Sequence, residues 1–165
     1  MEISEIQEKA HYIAVTGIIR KRGPDNVMQY LICKRSPQEK IFPGKWCVPG
    51  GRLMQGDFVG TPKDTSDHWF SILEKTLQKE IFEETNLRIV PIGYVSSLAL
   101  IRPNGFSTII ISLFANWASG DVVLKQQDEL VEHAWVTLTE ASGYDLIENI
   151  LEQIEHVDAM SHVHL

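Results

Sequence analysis

The sequence predicts an α/β fold in which a mixed β-sheet is covered by helices on both faces, an α/β/α sandwich. Four β-branched and aromatic runs point to strands, "YIAVTGIIRK", "MQYLICKRS", "LRIVPIGYVSSLALI" and "FSTIIISLFANWA". Two stretches carry helical periodicity instead, one ending in "KEIFEETNL" and the other "YDLIENILEQIEHV". Their order, β-β-loop-α-β-β-β-α, mixes neighbouring strands with helical crossings. The 165 residues are expected to form one domain, 1–165.

The first two runs are joined by "RGPDNV", whose Gly, Pro, Asp and Asn predict a turn. "FPGKWCVPGGRLMQGD" follows, too punctuated by glycine and proline for a helix and read as loop, brief strand and loop. The segment "VGTPKDTSD" stays irregular, and Asp67 is the predicted N-cap of a helix running to about Thr85. On that helix Phe70, Leu73, Leu77 and Ile81 make one apolar stripe. "RPNG" between the next two runs is a hairpin signal, with Asn104 and Gly105 suited to positive φ. "KQQDEL" reads as a polar loop, "VEHAWVTL" as another strand, and the closing amphipathic stretch as a helix.

Composition excludes several classes of function. The hydrophobic fraction of 44% is ordinary for a globular chain, and no apolar run approaches the roughly 20 residues that span a bilayer. A start of "MEISEIQEKAHY" has neither a signal core nor a transit-peptide composition, so a soluble cytoplasmic protein is expected. Cys33 and Cys47 sit in apolar, strand-like surroundings without metal-ligand spacing and read as buried thiols. A formal charge of −7 with no basic stripe argues against a nucleic-acid polymer as partner. A small phosphorylated nucleotide remains compatible if a metal ion supplies positive charge.

Glu80, Glu83 and Glu84 fall at i, i+3 and i+4 and therefore share one helix face. Like charges there disfavour the helix, more so near its C-terminal end. Hard divalent cations take such oxygen ligands, whereas the bland reading is a solvated acidic face.

"VPGGRLMQGD" and "KEIFEETNL" together resemble the box of the Nudix hydrolase family, G-x5-E-x7-R-E-U-x-E-E-x-G-U with U aliphatic. Gly51 begins the match, preceded by Gly50. Glu80, Glu83 and Glu84 match the acidic positions, and Ile81 and Leu87 the aliphatic ones. Asp57, Lys79 and Asn86 replace a glutamate, an arginine and a glycine. Asn is the next most tolerant residue of the left-handed conformation a C-cap needs. Between Asp57 and Lys79 lie 21 residues, 58 to 78, where the pattern has seven, an insertion of 14. "FPGKW" and the distal Glu129, six residues before Trp135, extend the resemblance over most of the chain.

The resemblance implies a Nudix-type sandwich and a hydrolase of phosphoanhydride bonds in a nucleoside triphosphate or a nucleoside diphosphate linked to another moiety. It implies Mg2+ or Mn2+ held by Glu80, Glu83, Glu84, Glu129 and the Gly50 carbonyl. Glu80, Glu83 and Glu129 are the catalytic candidates, with the base left open between Glu80 and Glu129. Arg35, Gly51 and Lys79 are the substrate-side candidates. Trp69 and Phe106 are candidates for contact with a base, while Trp46 reads as buried beneath the glycine loop. His156, His162 and His164 read as a polar tail and not a second metal site. A homodimer is compatible with this picture. Two other classes stay in view: a nucleotide-binding or sensor module that has lost catalysis, and isopentenyl diphosphate isomerase. The isomerase follows its tryptophan with Cys-Gly-His-Pro, against "CVPGG" here.

Overall fold

The computed structural model describes residues 3–161. Its elements are α1 (Ile3–Lys9), β1 (Tyr12–Arg22), β2 (Met28–Arg35), β3 (Trp46–Cys47), β4 (Gly50–Arg52), a 3-10 turn (Gln55–Asp57), α2 (Ile72–Thr85), β5 (Arg88–Ile101), β6 (Ser107–Ser119), β7 (Leu130–Val136), α3 (Leu138–Ala141) and α4 (Ile150–Ser161). The strands form one mixed seven-stranded sheet with the path β3-β2-β1-β6-β5, β4 pairing with β1 and β7 with β2. β1 and β6 run parallel while the other pairs are antiparallel.

Side-chain alternation along β1 assigns the helices to opposite faces. A Cβ at Gly17 would press on Leu77 of α2, so that residue faces α2. Arg20, an odd number of positions away and so on the other face, donates to Ser161 of α4 at 2.6 Å. Tyr30, paired with Arg20, donates to Asp158 of α4 at 2.7 Å. The expected sandwich follows. On the α2 side Val15, Ile19, Leu77 and Ile81 are fully buried, each contributing about 1.5–3 kcal/mol of transfer free energy. No helix among the described residues is long and apolar enough to cross a membrane.

Several local expectations are corrected. α2 starts at Ile72 and not after Asp67, because the inserted segment spends its polar groups on itself. The Asp64 carboxylate accepts from the Phe70 N–H at 2.9 Å, and the Thr65 hydroxyl from the His68 N–H at 3.0 Å. Ser71 then enters the helix in the left-handed region with no side-chain cap. Phe70 lies outside the helix and is exposed, so the apolar stripe begins at Leu73. In the β5–β6 turn only Gly105 takes positive φ, at 82°. Its N–H returns to Arg102 O at 2.8 Å, leaving Asn104 as an ordinary turn residue.

The closing helix also starts late. Residues 144–149 instead lie along β3, where Trp46 N–H donates to Asp145 O and Ile147 N–H to Trp46 O, both at 2.9 Å. Two short elements were not foreseen, α1 and α3. The second is opened by a reciprocal cap, Thr137 N–H to Glu140 at 2.8 Å and Glu140 N–H to Thr137 at 3.2 Å. His156 is exposed on α4, while His162 and His164 lie outside the described residues.

The expected C-cap of α2 is present: Asn86 has φ 65° and its N–H closes on Phe82 O at 3.0 Å. Asn86→Gly should therefore melt at or above the wild-type temperature, and Asn86→Val should lose roughly 1 kcal/mol or more, as β-branched residues tolerate this region worst. Equal melting temperatures for the two variants would contradict this account.

Candidate functional site

The glutamate face of α2 meets the open edge of β4. In the β1–β4 ladder, Gly17 N–H donates to Pro49 O and Leu53 N–H to Ile13 O, each at 2.9 Å. These bonds alternate with the non-bonded pair Thr16 and Gly50, so the amide and carbonyl of Gly50 both point away from β1. Its amide donates to the Glu84 carboxylate at 3.0 Å. The neighbouring Gly51 faces α2, and any Cβ there would run into the Glu80 carboxylate. The glycine pair thus lets two carboxylates of one helix approach a strand backbone.

The three glutamates differ in environment. Glu84 is only 8% exposed, and burial pushes its carboxyl up to about 8. The Gly50 hydrogen bond and Arg35 oppose that rise, while the charges of Glu129 and Glu80 reinforce it. Glu80 is half-buried and Glu83 exposed. Both are tied to Lys79, whose Nζ lies 3.0 Å from Asp57, 3.2 Å from Glu80 and 3.5 Å from Glu83. Burial works against the Lys79 charge, but hydrogen bonds to Asp57 and Glu80 outweigh it and hold the ammonium above the usual lysine range. Asp57 also accepts from Met54 N–H at 2.8 Å, and this bond, with Lys79, holds its carboxyl low. Lys79, expected on the substrate side, is shared among three carboxylates.

Arg35 ends β2 at a bulge. Its Nε donates to Ile41 O and its Nη2 to Glu39, both at 2.8 Å. Ser36 N–H, next along, donates to Glu129 O at 2.8 Å, which docks the Glu129 loop beside Arg35. Partial burial, with the charges of Glu39, Asp128 and Glu80, raises the Glu129 carboxyl, while Arg35 lowers it. The Glu129 carboxylate forms no ion pair among the described residues. Arg35, Glu80, Glu84 and Glu129 thus act on one another electrostatically. Glu39 was missed, since a glutamate four residues into a loop after an arginine carries no recognisable pattern.

The remaining candidates are mostly used by the fold. Trp46 packs edge-on against Tyr144 at 4.8 Å. Trp69 donates to Thr61 O at 3.0 Å and packs on Phe58 at 5.4 Å, bracing the inserted loop from within. Cys33 and Cys47 pair across β2 and β3 as buried free thiols, and burial pushes Cys47 up to about 12.

Among the described residues no three His, Cys, Asp or Glu side chains already converge as a metal cage. The donor set nevertheless fits a hard divalent ion. It comprises oxygen ligands, a carbonyl turned off the ladder at Gly50 and a buried carboxylate that forms no ion pair among the described residues. Lys79 occupies part of the cation's role, so Glu80 and Glu83 would exchange ammonium contacts for metal contacts on loading.

Residues 11–157 match the NUDIX domain family. The chain is 24% identical over 145 residues to the nucleoside triphosphatase NudI of Klebsiella pneumoniae, covering 82% of this chain and 89% of that one. Among solved structures it resembles the Ap4A hydrolase of C. elegans, with a TM-score of 0.67, 16% identity and coverage of 92% and 98%. It also resembles the NUDIX domain of Shewanella oneidensis NrtR complexed with ADP ribose, with a TM-score of 0.66, 19% identity and 99% coverage of both chains. With its glutamate helix set against the Gly50–Gly51 edge, the chain belongs to the Nudix family.

Proposed function

We propose that the protein hydrolyses a phosphoanhydride bond in a nucleoside triphosphate, or in a nucleoside diphosphate linked to another moiety, with Mg2+ or Mn2+ as cofactor. The observation that carries the reading is Glu84, a buried carboxylate on the Gly50 amide with Glu80 and Glu129 acting on it. A fold does not hold that arrangement cheaply, and a divalent cation relieves it. Glu80, Glu83, Glu84, Glu129 and the Gly50 carbonyl would hold the ion. When bound it supplies charge neutralisation on phosphate oxygens and lowers the pKa of water.

The chain's own residues account for the rest. Arg35, held by Glu39 and Ile41 O, keeps further N–H groups for a phosphate oxygen. Of the two base candidates, Glu129 has no ion pair among the described residues, whereas Glu80 has first to leave Lys79. Glu129 would accept the proton of the attacking water. Among the described residues no Ser-His or Cys-His pairing favours a covalent route, and both thiols are buried. The low-identity likeness to a nucleoside triphosphatase and the overall charge of −7 support a small nucleotide bound with its metal. A cytoplasmic setting goes with such a substrate.

Hydrolysis in 18O-labelled water tests the reaction. The label should enter one phosphoryl product and never the sugar or base. No turnover of any phosphoanhydride with Mg2+ or Mn2+ would favour the binding-module reading.

Glu83→Gln and Glu84→Gln should each lower kcat by at least about 10²-fold with the fold retained, since a neutral amide ligates Mg2+ poorly. Wild-type turnover in both would remove them from the site.

Glu84 also makes a stability prediction of opposite sign. Its carboxyl rises from the ordinary 4.5 to about 8 on folding, so the metal-free native state retains a proton that the unfolded chain has released across that window. The resulting destabilisation grows through the window and is complete above it. In EDTA, Glu84→Gln should therefore melt above wild type at about pH 8.5, with the gap closing toward about pH 5, and Mg2+ should raise the wild-type melting temperature alone. A variant less stable than wild type at both pH values would refute this.

A further inference from the structure

Away from the carboxylate edge, one cluster combines aromatic rings with cations that the ion-pair network leaves alone. Tyr12 opens β1, and Arg52 closes β4 in register with Ala14, so both side chains lie on the same sheet face. Arg102 and Phe106 flank the β5–β6 turn. The Arg52 guanidinium carbon stands 5.4 Å from the Tyr12 ring centre and that of Arg102 5.3 Å, while the Phe106 ring lies 5.6 Å away, tilted by 48°. Arg102 is steadied by donating Nε–H to Thr108 at 2.7 Å.

Two properties of this cluster point to a ligand. Neither guanidinium pairs with a carboxylate among the described residues, although the chain carries a charge of −7. A guanidinium lying over a ring keeps its in-plane N–H groups for oxygen acceptors, and its own face remains a stacking surface. The cluster is also continuous with the site. Arg52 follows Gly50 by two positions, about 7 Å along the strand, while the Gly50 amide holds Glu84 at the open edge. A ligand with phosphates at that edge can lay its remainder over Tyr12.

We propose that Tyr12, Arg52, Arg102 and Phe106 form the subsite for the nucleoside monophosphate end of the substrate. The rings and guanidinium planes stack on the base, and the free N–H groups take phosphate or base oxygens. The assignment rests on the pyrophosphohydrolase reading for its place in catalysis, yet its binding chemistry is testable without catalysis. Arg88, which lies over Phe82 at 4.9 Å from the ring centre at the start of β5, provides an arginine of similar setting outside the cluster.

Calorimetric titration of the full chain in EDTA with AMP, GMP, CMP and UMP, and with inorganic phosphate and adenosine as controls, tests the subsite. At least one monophosphate should bind more tightly than either control. Arg52→Ala and Arg102→Ala should weaken that binding about tenfold and raise KM for the preferred nucleotide similarly, with a smaller effect on kcat, the pattern of lost ground-state binding. Arg88→Ala should match wild type. Should an alanine variant fail to fold, Arg52→Lys and Arg102→Lys keep the charge without the planar fork and should still raise Kd. Absence of monophosphate binding to wild type would overturn the subsite, as would folded variants with Kd and KM within about twofold of wild type. Loss of binding in Arg52→Ala in a protein that hydrolyses nothing would uphold the subsite and overturn the hydrolase reading. Normal hydrolysis with unchanged Kd would do the reverse.

Discussion

In the interior the Glu84 carboxylate is met by the Gly50 amide, turned off the β1 ladder, and the glutamate face of α2 is arranged around that hydrogen bond. Isolated burial of an anion costs several kcal/mol or is avoided by protonation. Here the Gly50 bond offsets part of that cost, and Glu129 and Glu80 add to it. The helix is held in place by apolar contacts, Leu77 and Ile81 against β1, which do not depend on the charge state of Glu84. The core therefore carries the carboxylate into a position it would not choose.

Lys79 shows how the metal-free chain tolerates the remaining charges. One ammonium answers Asp57, Glu80 and Glu83, and the lysine is partly exposed, so the network is screened and mobile compared with a buried pair. An arginine in the same place would grip two carboxylates in a fixed fork. Lysine's rotatable point charge lets each carboxylate leave separately, which suits the metal loading proposed for them.

The parts of this architecture visible in the sequence were those governed by near neighbours. The i, i+3, i+4 glutamates and the glycine at the hairpin turn follow from local geometry, and the Asn86 cap from its place in the Nudix box. Even local signals were overridden: Asp67 looked like a cap, but Asp64 and Thr65 captured the amides of Phe70 and His68 and delayed the helix. What remained illegible depended on register between distant strands. Nothing near Trp46 indicates that residues 145–147 will lie along it and hold back α4. Glu39 beside Arg35, and Arg52 with Arg102 over Tyr12, likewise exist only once the loops and the β4–β1–β6 alignment are set.

The insertion illustrates how a disrupted motif can keep its geometry. Lengthening a closed loop from seven to 21 residues costs about 1 kcal/mol in closure entropy, since the penalty grows only with the logarithm of length. The Asp57–Lys79 contact joins the two ends of the loop at 3.0 Å. Inside it, Phe58 packs on Trp69 and Lys75 lies 3.5 Å from Asp64. The extra residues thus order against one another, and the ends stay together. Because Asp57 and Lys79 are joined in space, the glutamates that follow Lys79 meet Gly50 and Gly51 despite the 21 residues between the two ends.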